Sequence, residues 1–308
     1  MGARWVAGVI RARAMAAGRA GPETARRLAT SPGLPDALRA LAGTPYRRGL
    51  DMEAGAAEAQ RAVSDALVWQ LRVLAGWQPR PGSAAVRLLA SPFEIANTRD
   101  RLRSLTGTAQ SEPYRLGALS TAWPRLSSAT SAVEMRTVLA TSLWGDPGAD
   151  TPSAMVTGMR LSAAARTAAN HPPAARWAAG EAALLVAREV HLSHRRLTEP
   201  ALRNAASLLG TAALQASTFD DFRARLPATA RWALDGTERS QDLWRAEAHW
   251  WAEVDREGLL MLRGTRFDVS SVVGAVAVLQ ADAWRIRAGL GCAAHGGRAL
   301  EAFDELLG

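Results

Sequence analysis

Lysine is absent from this chain of 308 residues, so all 37 basic residues are arginine. A phosphate-binding patch usually mixes the two. Arginine scattered among alanine, glycine and proline instead reads as codon bias toward guanine and cytosine, which discounts the net charge of +8 as a nucleic-acid signal. A single cysteine, Cys292, excludes an intrachain disulfide and any thiolate cluster for zinc or iron. Missing as well are a Gly-x-Ser-x-Gly elbow, an HExxH pair and a phosphate loop ending in Gly-Lys-Ser/Thr, which removes three common routes to hydrolysis. The longest apolar run, around Val272 to Leu279, falls far short of the ~20 residues that cross a bilayer. The opening run Trp5 to Ile10 is followed at once by Arg11 and Arg13, which an export signal would not tolerate.

What is present is ordinary globular composition, with 48% apolar residues, 21% charged residues and a mean hydropathy of −0.07. The length gives a prior of about two domains, or three short ones. Ala, Leu, Arg, Glu and Met dominate and no β-type alternation stands out, so the chain reads as helix nearly throughout. Breaks are expected where Gly and Pro gather: at Gly21 and Pro22, and at 32–35, 76–82, 145–152, 171–173 and 289–297. Ser91, Pro92 and Glu94 read as an N-cap, a first-turn proline and a reciprocal carboxylate. Ser131 with Glu134 repeats that logic, and Thr218 caps a third helix.

Two signposts recur three times. The first runs acid, Arg, Leu, Thr, aromatic: Asp36, Arg39, Leu41, Thr44, Tyr46; then Glu134, Arg136, Leu139, Thr141, Trp144; then Asp221, Arg223, Leu226, Thr229, Trp232. The second pairs an acid with an arginine before a terminating glycine: Glu94, Arg99, Gly107; Glu199, Arg203, Gly210; Asp282, Arg287, Gly291. Their constant order implies three related helical modules, 1–107, 108–210 and 211–308.

Little of this points to chemistry. His191 and His194 with Glu189 offer a metal-like face, but Arg188, Arg195 and Arg196 would repel a cation, so a solvated helix face is expected. Asp220 and Asp221 lack the further acid a magnesium site needs. Trp232, Trp244, Trp250 and Trp251 could stack bases, yet tryptophan at helical spacing is usually buried. Cys292 reads as a small packed side chain, and no cofactor or metal is expected.

The run Val6 to Met15 with Arg11 and Arg13, the phrase Leu41-Ala-Gly-Thr-Pro-Tyr46, the phrase Phe93-Glu-Ile-Ala-Asn97 with Arg99, and the closing Asp282-Ala-Trp-Arg-Ile-Arg287 resemble the C-type central-stalk family of V/A-type rotary ATPases, whose eukaryotic relatives are the d-type subunits of V-ATPases. The resemblance implies an all-α funnel of three helical-bundle modules about a pseudo-threefold axis. It implies a non-catalytic socket on the cytoplasmic side, peripheral to the inner face of the plasma membrane. There it would join the central-shaft subunits to the proteolipid ring. Glu94, Asn97 and Arg99, with Asp282, Arg285 and Arg287, are then a structural junction or partner contacts. The second module departs from the family by losing the Asn-containing phrase and keeping Glu199 and Arg203 in altered register. The alternatives are a free-standing helical scaffold derived from that family and an arginine-rich nucleic-acid binder.

Overall fold

The computed structural model describes residues 3–108 and 112–296. The protein is all-α, with no strand among the described residues. The helices are α1 (Ala3–Ala17), α2 (Pro22–Ala29), α3 (Leu34–Ala42), α4 (Ala56–Gly76), α5 (Arg80–Leu89), α6 (Ser91–Leu105), α7 (Trp123–Ser128) and α8 (Ala132–Ala140). They continue as α9 (Pro152–Asn170), α10 (Ala175–Val186), α11 (Glu199–Leu209), α12 (Thr211–Leu214), α13 (Phe219–Arg225), α14 (Ala228–Arg231), α15 (Leu243–Arg263) and α16 (Val269–Ala294). A π-helical turn, Ala187–Leu192, extends α10.

These helices form two compact units: residues 1–86 with 251–308, and residues 87–250. Neither expected module border, at 107 or at 210, is a border of these units. The repeats in the sequence mark where helices start, whereas compactness depends on which helices bury one another.

Unit 1 is built on α16, which α1, α2, α3 and α4 surround. Among the described residues α16 alone is long and apolar enough to cross a membrane, and 78% of its most apolar stretch is buried inside the protein. The run Val272 to Leu279 explains that burial, since all of its residues are apolar or glycine and buried on every side of the helix. The expected stop at Gly291 does not occur, because α16 continues to Ala294. Gly289 serves close packing instead: a Cβ there would lie 2.6 Å from the carbonyl oxygen of Ala25, so α2 could not approach as it does.

Unit 2 packs α6, α10 and α11 against α9. Its core includes Leu102, Leu126, Met135, Leu139, Trp144 and Met159. Local start signals act as expected at Ser131, whose hydroxyl accepts from the Glu134 N–H, and at Thr218, whose hydroxyl accepts from the Asp221 N–H. At α6 the expectation fails. Ser91 lies inside the helix, Ala90 is the N-cap, and Glu94 turns to other partners.

Candidate functional site

The candidate site residues sort into two buried acids, each with its own set of donors. Glu94, on the first turns of α6, is 1% exposed. Its carboxylate accepts from the backbone N–H of Thr121 (2.5 Å), the backbone N–H of Ala122 (2.6 Å) and Nε1–H of Trp144 (3.1 Å). Those three donors occupy the Glu94 carboxylate, which therefore does not cap its own helix.

Asp282, in the middle of α16, is also 1% exposed. It accepts from the backbone N–H of Ala20 (3.0 Å), the backbone N–H of Gly21 (2.7 Å) and the hydroxyl of Tyr46 (2.9 Å). Burial raises the Asp282 carboxyl above the ordinary carboxylate range, opposed by the Gly21, Tyr46 and Ala20 hydrogen bonds and by the charge of Arg19. Burial first, and then the adjacent carboxylate, push the Tyr46 phenol well above its ordinary value, which keeps it a proton donor.

The two arrangements use the same three kinds of donor. Gly21 and Ala122 are the N-caps of α2 and α7, each with a proline in the first turn and neither with a side-chain cap. In both, a carboxylate from a distant helix takes the N–H of the cap residue and of the residue before it. In both, the third donor is an aromatic side chain. The turn before that aromatic also repeats: the Thr44 hydroxyl donates to the Leu41 carbonyl and accepts from the Tyr46 N–H, and Ser142 does the same with Leu139 and Trp144. Leu41, Thr44 and Tyr46 thus align with Leu139, Ser142 and Trp144 at a constant offset of 98 residues. Thr141, which the sequence pattern selects, is one residue out of register.

One turn beyond each acid the copies differ. Asn97 pairs with the backbone of Tyr114 in both directions, its Nδ2 donating to the carbonyl (2.9 Å) and its Oδ1 accepting from the N–H (2.7 Å). Arg285 instead donates to Asp255 (2.8 Å), a largely buried ion pair within unit 1. Arg287 reaches the Ser64 hydroxyl on α4. Arg99 stands apart from Glu94 and Asn97, with a side chain 48% exposed and directed to Asp100.

Glu199 does not join this set. It lies in the exposed first turn of α11 and pairs with Arg203. Glu189, which the sequence analysis weighs only with His191 and His194, lies at a similar spacing. Glu94, Glu189 and Asp282 are 95 and 93 residues apart, and each is followed eight residues later by a leucine, Leu102, Leu197 or Leu290. Pro200 draws attention to Glu199 because it imitates the Ser91-Pro92 start. Around Glu189 the arrangement seen at Glu94 and Asp282 is not formed. The acid sits in the π-helical turn, His194 adopts a φ of 53°, and the carboxylate pairs with Arg195 (3.1 Å). At the corresponding entry, the Gly210 N–H is met by the Ala206 carbonyl, and Trp232 Nε1–H by the Thr229 carbonyl.

Glu189 and Arg195, with Thr151, Arg196 and Thr198, line an open cavity of about 220 Å³. The His191 ring packs 5.0 Å from that of Phe222, and burial, with the charge of His194, lowers its pKa. Among the described residues no group of His, Cys, Asp or Glu is placed to hold a metal ion. The sequence matches no protein-family model and no curated protein.

The tryptophans divide between packing and surface. Trp250 Nε1–H donates to the Trp177 carbonyl, Trp251 stacks on Trp284, and Arg176 covers the ring of Trp232, whereas Trp244 is exposed beneath Arg245. Cys292 is buried, and burial raises its thiol pKa. A raised thiol pKa lowers the thiolate fraction and with it the nucleophilicity.

Proposed function

We propose that this chain is a non-catalytic central-stalk subunit of a V/A-type rotary ATPase, the socket that joins the central shaft to the proteolipid ring on the cytoplasmic side. The observation that carries the reading is the recurrence of one hydrogen-bonded device. The phrases that resemble the C-type central-stalk family, at Leu41 to Tyr46, Phe93 to Asn97 and Asp282 to Arg287, supply its acids and one of its aromatics. A triplicated helical module is what the family resemblance implies, and Glu189 with Trp232 reads as the worn third copy. On this reading the three modules form a funnel about a pseudo-threefold axis. The buried acids are joints that stiffen it, since a coupling must transmit torque without yielding and close-packed interiors deform little.

The test is co-purification. Tagged protein expressed beside its genomic neighbours and extracted in mild detergent brings down shaft and proteolipid subunits; recovery of the chain alone counts against the socket. A second reading, a free-standing helical scaffold that has kept the fold and left the motor, is favoured by the absence of the device at Glu189. It is separated from the first by flanking genes that encode no head, shaft or ring subunits.

A further inference from the structure

Unit 1 carries a surface on which arginine and apolar side chains lie together. Helix α1 buries Trp5, Val9, Ala12 and Ala16, while its opposite face leaves Val6 and Ile10, one turn apart, in solvent, with Ile10 56% exposed. Beside the end of α4, the Arg11 guanidinium lies 5.8 Å from the ring centre of Trp77, itself 53% exposed. Two residues further along α1, Arg13 lies 5.1 Å from the ring centre of Phe267 and donates to the carbonyls of Gly264 and Arg266 between α15 and α16. The Arg11–Trp77 and Arg13–Phe267 pairs therefore flank the exposed face of α1 on its two sides, with Val6 and Ile10 between them. Around α1 and Trp77 the charge is basic, while on the Phe267 side the Asp268 carboxylate caps α16. Residues 1–22 hold four arginines and no acid, and residues 66–93, which include Trp77, hold three arginines and no acid.

We propose that this face binds the headgroup layer of an anionic lipid bilayer. The exposed Arg4 and Arg11 complement lipid phosphate, Trp and Phe favour the interfacial depth, and Val6 and Ile10 supply short apolar side chains that enter the upper acyl region. A nucleic acid fits less well: each aromatic ring already has a guanidinium over it, and aliphatic side chains offer bases no stacking platform. The inference does not rest on the rotor reading, because it concerns lipid with no other protein present.

The experiment is co-sedimentation of the full chain with vesicles of phosphatidylcholine alone or with about one third phosphatidylglycerol, at low and raised salt. The expected result is retention by the anionic vesicles only, weakened by salt. Ile10→Asp with Trp77→Ala, and separately Arg4→Glu with Arg11→Glu, are expected to lower retention roughly tenfold or more. A charge-matched control, Arg47→Glu with Arg196→Glu, stays within about twofold of the parent, with far-UV circular dichroism confirming that all variants fold. Equal loss in face and control variants overturns the proposal, since binding then follows net charge alone. Equal retention by neutral vesicles, or full displacement by equimolar single-stranded RNA, overturns it too.

Discussion

Glu94 and Asp282 end on the backbone at a helix entry, whereas Glu189, at a similar sequence spacing, ends on the side chain of Arg195 beside an open cavity. The contrast shows what makes a buried acid worth keeping. Where the cap residue is Gly21 or Ala122 and has no side-chain acceptor, the entry needs an acceptor from elsewhere, and a carboxylate meets two N–H groups and an aromatic donor at once. Where α11 runs straight into Gly210, the Ala206 carbonyl already meets that N–H.

The sharpest way to break the comparison is to remove each acid. Glu94→Ala and Asp282→Ala each strand three donors and are expected to lower unfolding free energy by about 3–5 kcal/mol in denaturant titration, against about 1 kcal/mol or less for Glu189→Ala. Equal losses at all three sites would erase the distinction. The position one turn on comes next: Arg285→Leu leaves Asp255 buried without its partner and is expected to cost about 3 kcal/mol, much of it recovered in the double variant with Asp255→Leu. A double variant as unstable as the single one would assign the loss to packing. Tyr46→Phe removes one donor and leaves two, for an expected loss of about 1–2 kcal/mol with α2 still in place by hydrogen exchange.

The smallest effect is read against pH. Burial raises the Asp282 pKa, so the folded protein takes up that proton at higher pH than the unfolded chain does. The penalty of its charge is full above the folded value and eases as pH falls through it. Asp146 runs the other way: the Arg136 guanidinium and the Gly148 N–H lower it to about 2, so its stabilisation is present above the unfolded value and is lost as pH falls. Melting curves are expected to show Asp146→Asn flattening the acid limb between about pH 4 and about pH 2, where the unfolded and folded values lie. Asp282→Asn, by contrast, removes a slope of opposite sign at higher pH.

The helical class, the caps at Ser131 and Thr218 and the break at Gly21 are legible in the sequence because each is decided within a few residues. The partners of the buried acids are not. Glu94 meets groups 27 to 50 residues away and Asp282 groups 236 to 262 residues away, and no local pattern encodes such a pairing. Asn97 and Arg285 stand out as candidates, yet their different roles follow only from what lies opposite them, the Tyr114 backbone in one case and Asp255 in the other. Glu199 stands out on sequence because an acid beside a proline marks a helix start, which α11 does have there, and a helix start is a local feature where a buried acid is a tertiary one.

The hydrogen bonds from Ala20 and Gly21 to Asp282 tie the beginning of the chain to its last described helix. On the ribosome, residues 1–86 therefore wait for α16, a delay on the order of tens of seconds at ordinary elongation rates, while the whole of 87–250 is made in between. The intervening segment can settle as a nascent domain first, while α1 to α4 still lack the helix they bury against.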